Sequence, residues 1–356
     1  MNYDLHKTFK GKRVFLTGHT GFKGSWLLLI LKQLGAEVRG FSLAPKNEFD
    51  LFHQIKGNTL CQSIIGDIRD KASIKREILD FQPDFVFHLA AQALVIDSYI
   101  NPVETYETNV MGSIYVMDAL REMKKQCTTV MITTDKVYEN FETTDPYPED
   151  ARIGGYDPYS NSKACNELAI GSYRNCFFNP EKYNEHHQAI ASARSGNVIG
   201  GGDWSANRLV PDIARALRAG EAVNIRNPLS VRPWQHVLDP LNGYLMLAAA
   251  LAENPTELAE GFNFGPRTND ERTVIDMVKL SIENWGSGSF ETPEIVGKPH
   301  EAGLLKLAID KAKQKLDWEP KFDSAEAVKW TMDWYKNSDA DPLAFTQNQI
   351  DTFFGL

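Results

Sequence analysis

No apolar run in this chain is long enough to cross a bilayer. Runs such as WLLLIL at residues 26–31 fall far short of the roughly 20 residues that a membrane helix needs. Cysteine is scarce: Cys61, Cys127, Cys165 and Cys176 lie far apart, form no CxxC pair and have no histidine at metal-ligand spacing. That excludes a disulfide framework and a zinc site, so reduced buried thiols and no metal are expected. The adjacent pair His186 and His187 does not change this, because sequence neighbours point in different directions on a helix or strand; they are expected on a surface loop. Positive charge is not in excess either. Lys and Arg number 38 against 47 Asp and Glu, a formal net charge of -9 spread along the chain, which leaves no basic stripe for a phosphate backbone and argues against nucleic acid as a partner. Repeats and low-complexity tracts are missing. The opening MNYDLHKTFKGKR has no apolar h-region, so a soluble cytoplasmic protein without a membrane partner is expected.

What is present is ample apolar material, 42% of 356 residues, enough for one large domain or two moderate ones. Residues 12–17 (KRVFLT) read as a strand ending at the glycines of TGHTGFKG, and 25–34 as an apolar helix. Further strand-like runs fall at 37–43, 63–66, 85–89, 130–133 and 189–194, with helical stretches between them. Such alternation predicts an α/β fold, a doubly wound parallel sheet of the Rossmann kind, because parallel neighbours need long crossovers that helices supply. Beyond about residue 200 the character changes: helices are expected at 209–219, 241–252, 274–284 and 309–316 and a short strand at 261–265. This predicts a dinucleotide-binding domain at 1–200 and a smaller mixed α/β substrate domain at 201–356, with 237–265 packing back on the first.

Gly18, Gly21 and Gly24 sit where the first strand gives way to the helix. Backbone amides at such a helix start receive a diphosphate, and the missing side chains let it approach. His19, Phe22 and Lys23, between the glycines, complete the expected cofactor loop. Asp67 and Ile68 follow the third strand, where a carboxylate can accept from an adenine amino group, and Leu89, Ala90 and Ala91 end the fourth, beside the expected nicotinamide ribose. The second strand ends in GFSLAP, without the acidic residue that usually grips a ribose diol. Ser42 is the weaker substitute there, and Arg39, Lys23 and Lys46 keep NADP open on the residues alone.

Tyr159 and Lys163 lie one helical turn apart in YSNSK, downstream of TTDKVYEN. A tyrosine removes a proton from a sugar hydroxyl near neutral pH only if its phenolate is stabilised, and an ammonium four residues on is placed to do that. The chain here resembles the extended short-chain dehydrogenase/reductase superfamily, and more closely its nucleotide-sugar 4,6-dehydratases, through TGHTGFKG, GDIRD, HLAAQ, TNVMG, TTDKVY, YSNSK and RSGNVIGGGDW in family order. Within that family GHTGFKGSWL, VRPWQHVLDPLNGYL and PHEAGLLKLAIDKAKQKLDW resemble the branch that acts on CDP-glucose.

The resemblance implies NAD, held through the turnover, and a cycle of C4 oxidation, loss of the C6 hydroxyl as water, and return of hydride to C6. Tyr159 is then the base at the C4 hydroxyl; Lys163 holds the phenolate and the nicotinamide ribose; Thr134 shares a hydrogen bond with the same sugar oxygen. Asp135 is the acid for the leaving hydroxyl. Family members for other nucleotides commonly carry Asp-Glu where this chain has Asp135-Lys136, so either Lys136 is partly neutral and takes the C5 proton or it stabilises the enolate while another group does. The resemblance places Asn197 against the sugar diphosphate. Arg232 and then Arg208, followed by Leu209, are the first choices for the two phosphates, since a guanidinium binds phosphate oxygens in bidentate fashion. Arg194 is expected to support its loop. His300 and Glu301, with Asp239, shape the far end of the pocket or the lobe packing, and Trp204 and Trp234 stack on a base or fill a core. The family pattern also implies a homodimer or homotetramer through helices around 108–124 and 159–173. The rivals are a 4-epimerase, against which Asp135 argues, a dehydratase for another nucleotide hexose, and a catalytically idle NAD-sensing regulator.

Overall fold

A computed structural model describes residues 3–293 and 304–355. Its centre is a parallel sheet built from β1 (Arg13–Thr17), β2 (Glu37–Ser42), β3 (Gln62–Ile65), β4 (Phe85–His88), β5 (Cys127–Ile132), β6 (Gln188–Ser195) and β7 (Gly261–Phe264). In space the order is β7-β6-β5-β4-β1-β2-β3. After β3 the chain returns to the other side of β1 and pairs β4 with it, Thr17 opposite His88. The carboxyl ends of β1 and β4 therefore diverge around a crevice, the place where open α/β sheets receive ligands.

Alternation along β1 explains how both faces are covered. Val14 and Leu16 join one large core with α1 (Phe22–Gln33), whereas Phe15 joins a second core with Ile74 and Ile78 of α2 (Lys71–Phe81). Helix α2 starts where the Asp70 carboxylate accepts from the amides of Ala72 and Ser73, both at 3.1 Å. Residues 102–120 are helical in three segments: Pro102–Tyr106, a π-helical turn at Glu107–Met111, and α3 (Gly112–Leu120). The catalytic helix α4 (Pro158–Cys176) opens with Asp157 as cap and proline at its first position.

The large core continues without interruption into the carboxy-terminal half, through Val210 and Ile213 of α5 (Leu209–Ala219), Leu241 and Leu245 of α6 (Leu238–Glu253) and Met277 of α7 (Val274–Trp285). Helix α6 packs on β5 and β6 before the chain returns as β7. The helices α8 (Ser324–Asn337) and α9 (Pro342–Phe354) are absent from the sequence reading. Their starts were signalled, by a capping box of Asp323 and Glu326 and by Asp341 ahead of a proline. His186 closes a short helix and His187 caps it at a φ of 56°, rather than sitting in an open loop.

Burial pushes the imidazole of His19 down to about 4 and those of His88 and His236 down to about 3, with Lys163 adding to the effect at His88. The folded chain thus refuses protons that the unfolded chain accepts below its ordinary value near 6.5. Stability from each histidine is complete above pH 6.5 and declines by about 1.4 kcal/mol per pH unit below it. Asp239 works in the opposite sense, since burial raises its carboxyl to about 7 and favours the fold when protonated. Glu149, whose carboxyl burial also raises, acts in the same sense as Asp239; three histidines against two carboxyls still leave a net loss, so the urea midpoint should fall between about pH 6.5 and 4.5, and a flat profile there would contradict these environments.

Candidate active site

The turn after β1 requires glycine twice. Gly18 has a φ of 74°, and a Cβ there would lie 2.8 Å from the amide of Ala90 at the end of β4; a Cβ on Gly24 would lie 2.0 Å from the Gly18 carbonyl. The amides of Phe22, Lys23 and Gly24 open α1 and have no carbonyl of their own helix to bind. The ring of His19 is fully buried, 2.7 Å from the Ser63 hydroxyl and edge-on to Phe52, which leaves its backbone to face a ligand. Thr20, which the sequence reading passed over, bonds Ser42 and the Leu43 carbonyl, each at 2.9 Å. Asp67 is paired with Arg69 at 2.6 Å, which holds its carboxyl below the usual range. Ile68 is buried against Gly112. Leu89, Ala90 and Ala91 line the crevice half-buried, with the Ala90 amide on the Thr17 hydroxyl. Arg39 is bound to Asp80 and stacked on Phe81, away from this turn.

Across the crevice, the end of β5 and the start of α4 bring Thr134, Asp135 and Tyr159 together. Burial pushes the Tyr159 phenol up to about 12, while the Thr134 hydroxyl and the Arg208 charge pull it the other way. Lys163, pushed down to about 8 by burial, donates to the Ile132 carbonyl at 3.2 Å. The immediate support of the phenol is therefore Thr134 and Arg208, and Lys163 stands behind it on the next turn. Asp135 accepts from the Thr134 hydroxyl at 2.8 Å through Oδ1, but its Oδ2 is buried with no partner. Such an oxygen is costly to leave unmet. The space it occupies exists because residue 196 is glycine: a Cβ there would lie 2.0 Å from Oδ2. Gly196→Ala should therefore lower kcat about 100-fold with little change in substrate affinity, the size expected for a displaced reacting group, as steady-state kinetics would show. Lys136 is half-buried and has no carboxylate partner among the described residues.

This cluster is held from behind. Glu167, on the same face of α4 as Tyr159 and Lys163, pairs with Arg194 of β6 at 2.9 Å and accepts from Thr133 and Ser192. Arg194 thus fixes the catalytic helix to the sheet as well as bonding Tyr138 and the Glu149 carbonyl. The π-helical turn directs Asn109 inward, where its amide bonds both backbone groups of Gln92 and the Ser162 hydroxyl.

On the substrate side, Arg208 stands next to Asp203 at 3.3 Å, with its charge felt at Tyr159 and Lys23. Leu209 opens α5, and Asn197, at a φ of 36°, is half-buried after β6. Arg232 is 9% exposed and lines a groove with Arg267, Lys306, Glu271 and Pro266. Asp239 is spent on packing, accepting from the amides of Lys321 and Phe322. The same holds for the tryptophans: Trp204 packs edge-on to Tyr335, and Trp234 bonds the Arg272 carbonyl. His300 and Glu301 lie outside the described residues. Among the described residues no His, Cys, Asp and Glu group could hold a metal, and no helix is long and apolar enough to cross a membrane.

Residues 15–331 match the model of the GDP-mannose 4,6 dehydratase family. The chain belongs to that family. It is 46% identical over 340 residues to a CDP-glucose 4,6-dehydratase of Salmonella typhimurium, covering 94% of this chain and 95% of the relative. A dTDP-glucose 4,6-dehydratase of Xanthomonas campestris is 26% identical, over 90% of this chain and 92% of the relative. Among solved structures, a dTDP-glucose 4,6-dehydratase of Streptomyces venezuelae with NAD and TYD bound superposes with a TM-score of 0.78 at 21% identity, covering 93% of this chain and 99% of that one. A UDP-glucose 4-epimerase of Thermotoga maritima reaches 0.76 at 24% identity, covering 92% and 99%. The doubly wound parallel sheet read from the sequence is thus the fold of this dehydratase family. The cleft and the groove beside it also hold residues that the sequence reading left without a role. No role was read for Gly196, Asn109, Glu167, Arg267 or Lys306, although TNVMG, RSGNVIGGGDW and PHEAGLLKLAIDKAKQKLDW hold three of them, since each acts through a contact with a segment distant in sequence.

Proposed function

We propose that this chain converts CDP-glucose to CDP-4-dehydro-6-deoxyglucose and water, using bound NAD. The observation that carries the reading is the buried, unpartnered Asp135 Oδ2 on the same cleft as Thr134 and Tyr159; the 46% relative supports the choice of CDP-glucose. The Gly18 turn fits a dinucleotide, because its two crowded glycines keep clear the approach to the α1 amides. Ser42, Asp67 and the Leu89–Ala91 segment would hold its adenosine and nicotinamide halves. The remoteness of Arg39 and the inward turn of Lys23 favour NAD over NADP. When bound, NAD supplies a reversible two-electron acceptor.

The protein's own residues do the rest. Tyr159 takes the proton from the C4 hydroxyl, with Thr134 sharing that oxygen and Arg208 and Lys163 supplying the positive charge a phenolate needs. The C4 ketone makes the C5 hydrogen acidic; its loss and protonation of the C6 hydroxyl by Asp135 release water. Lys136, with no carboxylate partner among the described residues, would stabilise the enolate or, when neutral, take the C5 proton. The two electrons and the hydrogen that left C4 finish on C6, so no net oxidation occurs. Arg232, with Arg267 and Lys306, offers the charge for the diphosphate, and Asn197 and Leu209 flank the sugar end. A nucleotide-sugar substrate supports a cytoplasmic location. The packed helices Val95–Ile100, Pro102–Tyr106 and α4 expose the apolar Ile100, Val103 and Leu168, which supports a homodimer or homotetramer.

Incubation with CDP-, dTDP-, GDP- and UDP-glucose tests the reading. The alkali-induced ultraviolet absorbance of a 4-keto-6-deoxy sugar is expected with CDP-glucose; its appearance with another nucleotide alone would overturn the substrate assignment.

A further inference from the structure

Gln235 has no charge and is 2% exposed, yet it holds the stretch of chain that faces the catalytic acid. It lies in the short strand Gln235–His236, which runs parallel to Val198–Ile199 just beyond β6. Its Nε2 donates to the Gly196 carbonyl at 3.0 Å and to the Phe264 carbonyl at 2.9 Å, one just after β6 and the other at the last residue of β7. Only an NH2 group can meet two carbonyls, so the amide has one orientation and Oε1 points the other way, buried with no partner. The Gln235 backbone N–H donates to the next carbonyl, that of Asn197, at 3.3 Å. Asn197 stands there at a φ of 36°, a left-handed conformation that few residues with a side chain adopt. One buried glutamine thus fixes two consecutive carbonyls of the segment that leaves β6. Where that segment passes the cleft, Gly196 is the floor under Asp135, since its missing Cβ makes room for the carboxylate. Oδ1 of that carboxylate is tied to Thr134, so the Gly196 peptide decides where the unmet Oδ2 stands.

We propose that Gln235 is a positioning residue for the catalytic acid: by gripping the Gly196 carbonyl it holds the surface on which the Asp135 carboxylate rests, and so aims Oδ2 at the departing C6 oxygen. This rests on the dehydration reading above. A buried amide bonded to two carbonyls cannot turn without leaving both unmet, which is costly, so the grip is rigid. Rigidity matters here because a small displacement of a reacting group lowers the rate steeply. The effect falls on water loss rather than on oxidation, because the three bonds of Gln235 reach Gly196, Asn197 and Phe264 and none reaches Tyr159, Thr134 or Arg208.

The test measures turnover of CDP-glucose by Gln235→Met and Gln235→Glu, which keep the side chain's length and lose its NH2 donor, alone and combined with Asp135→Asn. Each single variant should lower kcat on the order of tenfold, hold KM within about twofold, and release a 4-ketohexose that borohydride traps. In the Asp135→Asn background the same substitutions should change kcat by less than about twofold, because the group they position is already lost. An equal fold-loss in both backgrounds is what a merely structural role gives and overturns the proposal, as does full activity of the single variants. Loss of the fold in both variants, seen by thermal unfolding, also assigns Gln235 to structure and overturns it. Absence of any 4-keto-6-deoxy product from the wild type would instead overturn the dehydration reading.

Discussion

Tyr159→Phe is expected to lower kcat on CDP-glucose by roughly 10²–10⁴-fold, the range for loss of a general base, while the protein still binds NAD. The substitution removes one oxygen and keeps a ring that is 8% exposed and packed at the start of α4, so the fold has no reason to change. Burial sets the free phenol at about 12, and the residue acts as a base only with help from positive charge. Arg208 supplies part of that help directly; Lys163, bonded to the Ile132 carbonyl, supplies it from one turn behind. Arg208→Ala should consequently depress kcat as well as raise KM, unlike a residue that binds only phosphate. Thermal unfolding of Tyr159→Phe within a few degrees of the wild type, together with an unaltered NAD titration, would separate the lost chemistry from lost structure.

Asp135→Asn is expected to divide the reaction. The asparagine keeps an acceptor for the Thr134 hydroxyl, which Oδ1 now receives at 2.8 Å, but it has no proton to give to the departing C6 oxygen. Water loss should slow by roughly 10²–10³-fold, while oxidation at C4 continues. The unreacted 4-ketohexose, trapped by borohydride, should then accumulate in place of the 6-deoxy product. Full activity in Asp135→Asn would remove the argument for dehydration over epimerisation, because an epimerase has no need of an acid at C6.

The parts of this site that were legible in the sequence are those set by local backbone chemistry. Gly18 and Gly24 announce a turn in which any Cβ collides, and Tyr159 and Lys163 announce one face of one helix. The alternating apolar runs fixed the six strands from β1 to β6 to within a few residues, and GFNFG at residues 261–265 was already a strand in the sequence reading, though its place beside β6 depends on tertiary packing. What could not be read depends on partners far along the chain. His19 looked like a loop residue until Ser63 and Phe52 claimed its ring. Lys23 looked like a ligand of phosphate or ribose until the ends of β6 and α6 came to lie beside it. Asn109 gained its role from a π-helical turn, for which no spacing rule exists, and Glu167 from an arginine in the next strand. The tryptophans 204 and 234 were undecidable for the same reason: an indole looks alike in sequence whether it covers a base or a core.

In this mechanism one cleft takes two electrons and a hydrogen from C4 of a hexose and gives them back at C6. Turnover of CDP-glucose carrying deuterium at C4, followed by NMR of the 6-deoxy product, tests it most directly. The label should appear in the C6 methyl group of the same molecule, at one deuterium per turnover. Deuterium retained at C4, or lost to the solvent, would contradict the account.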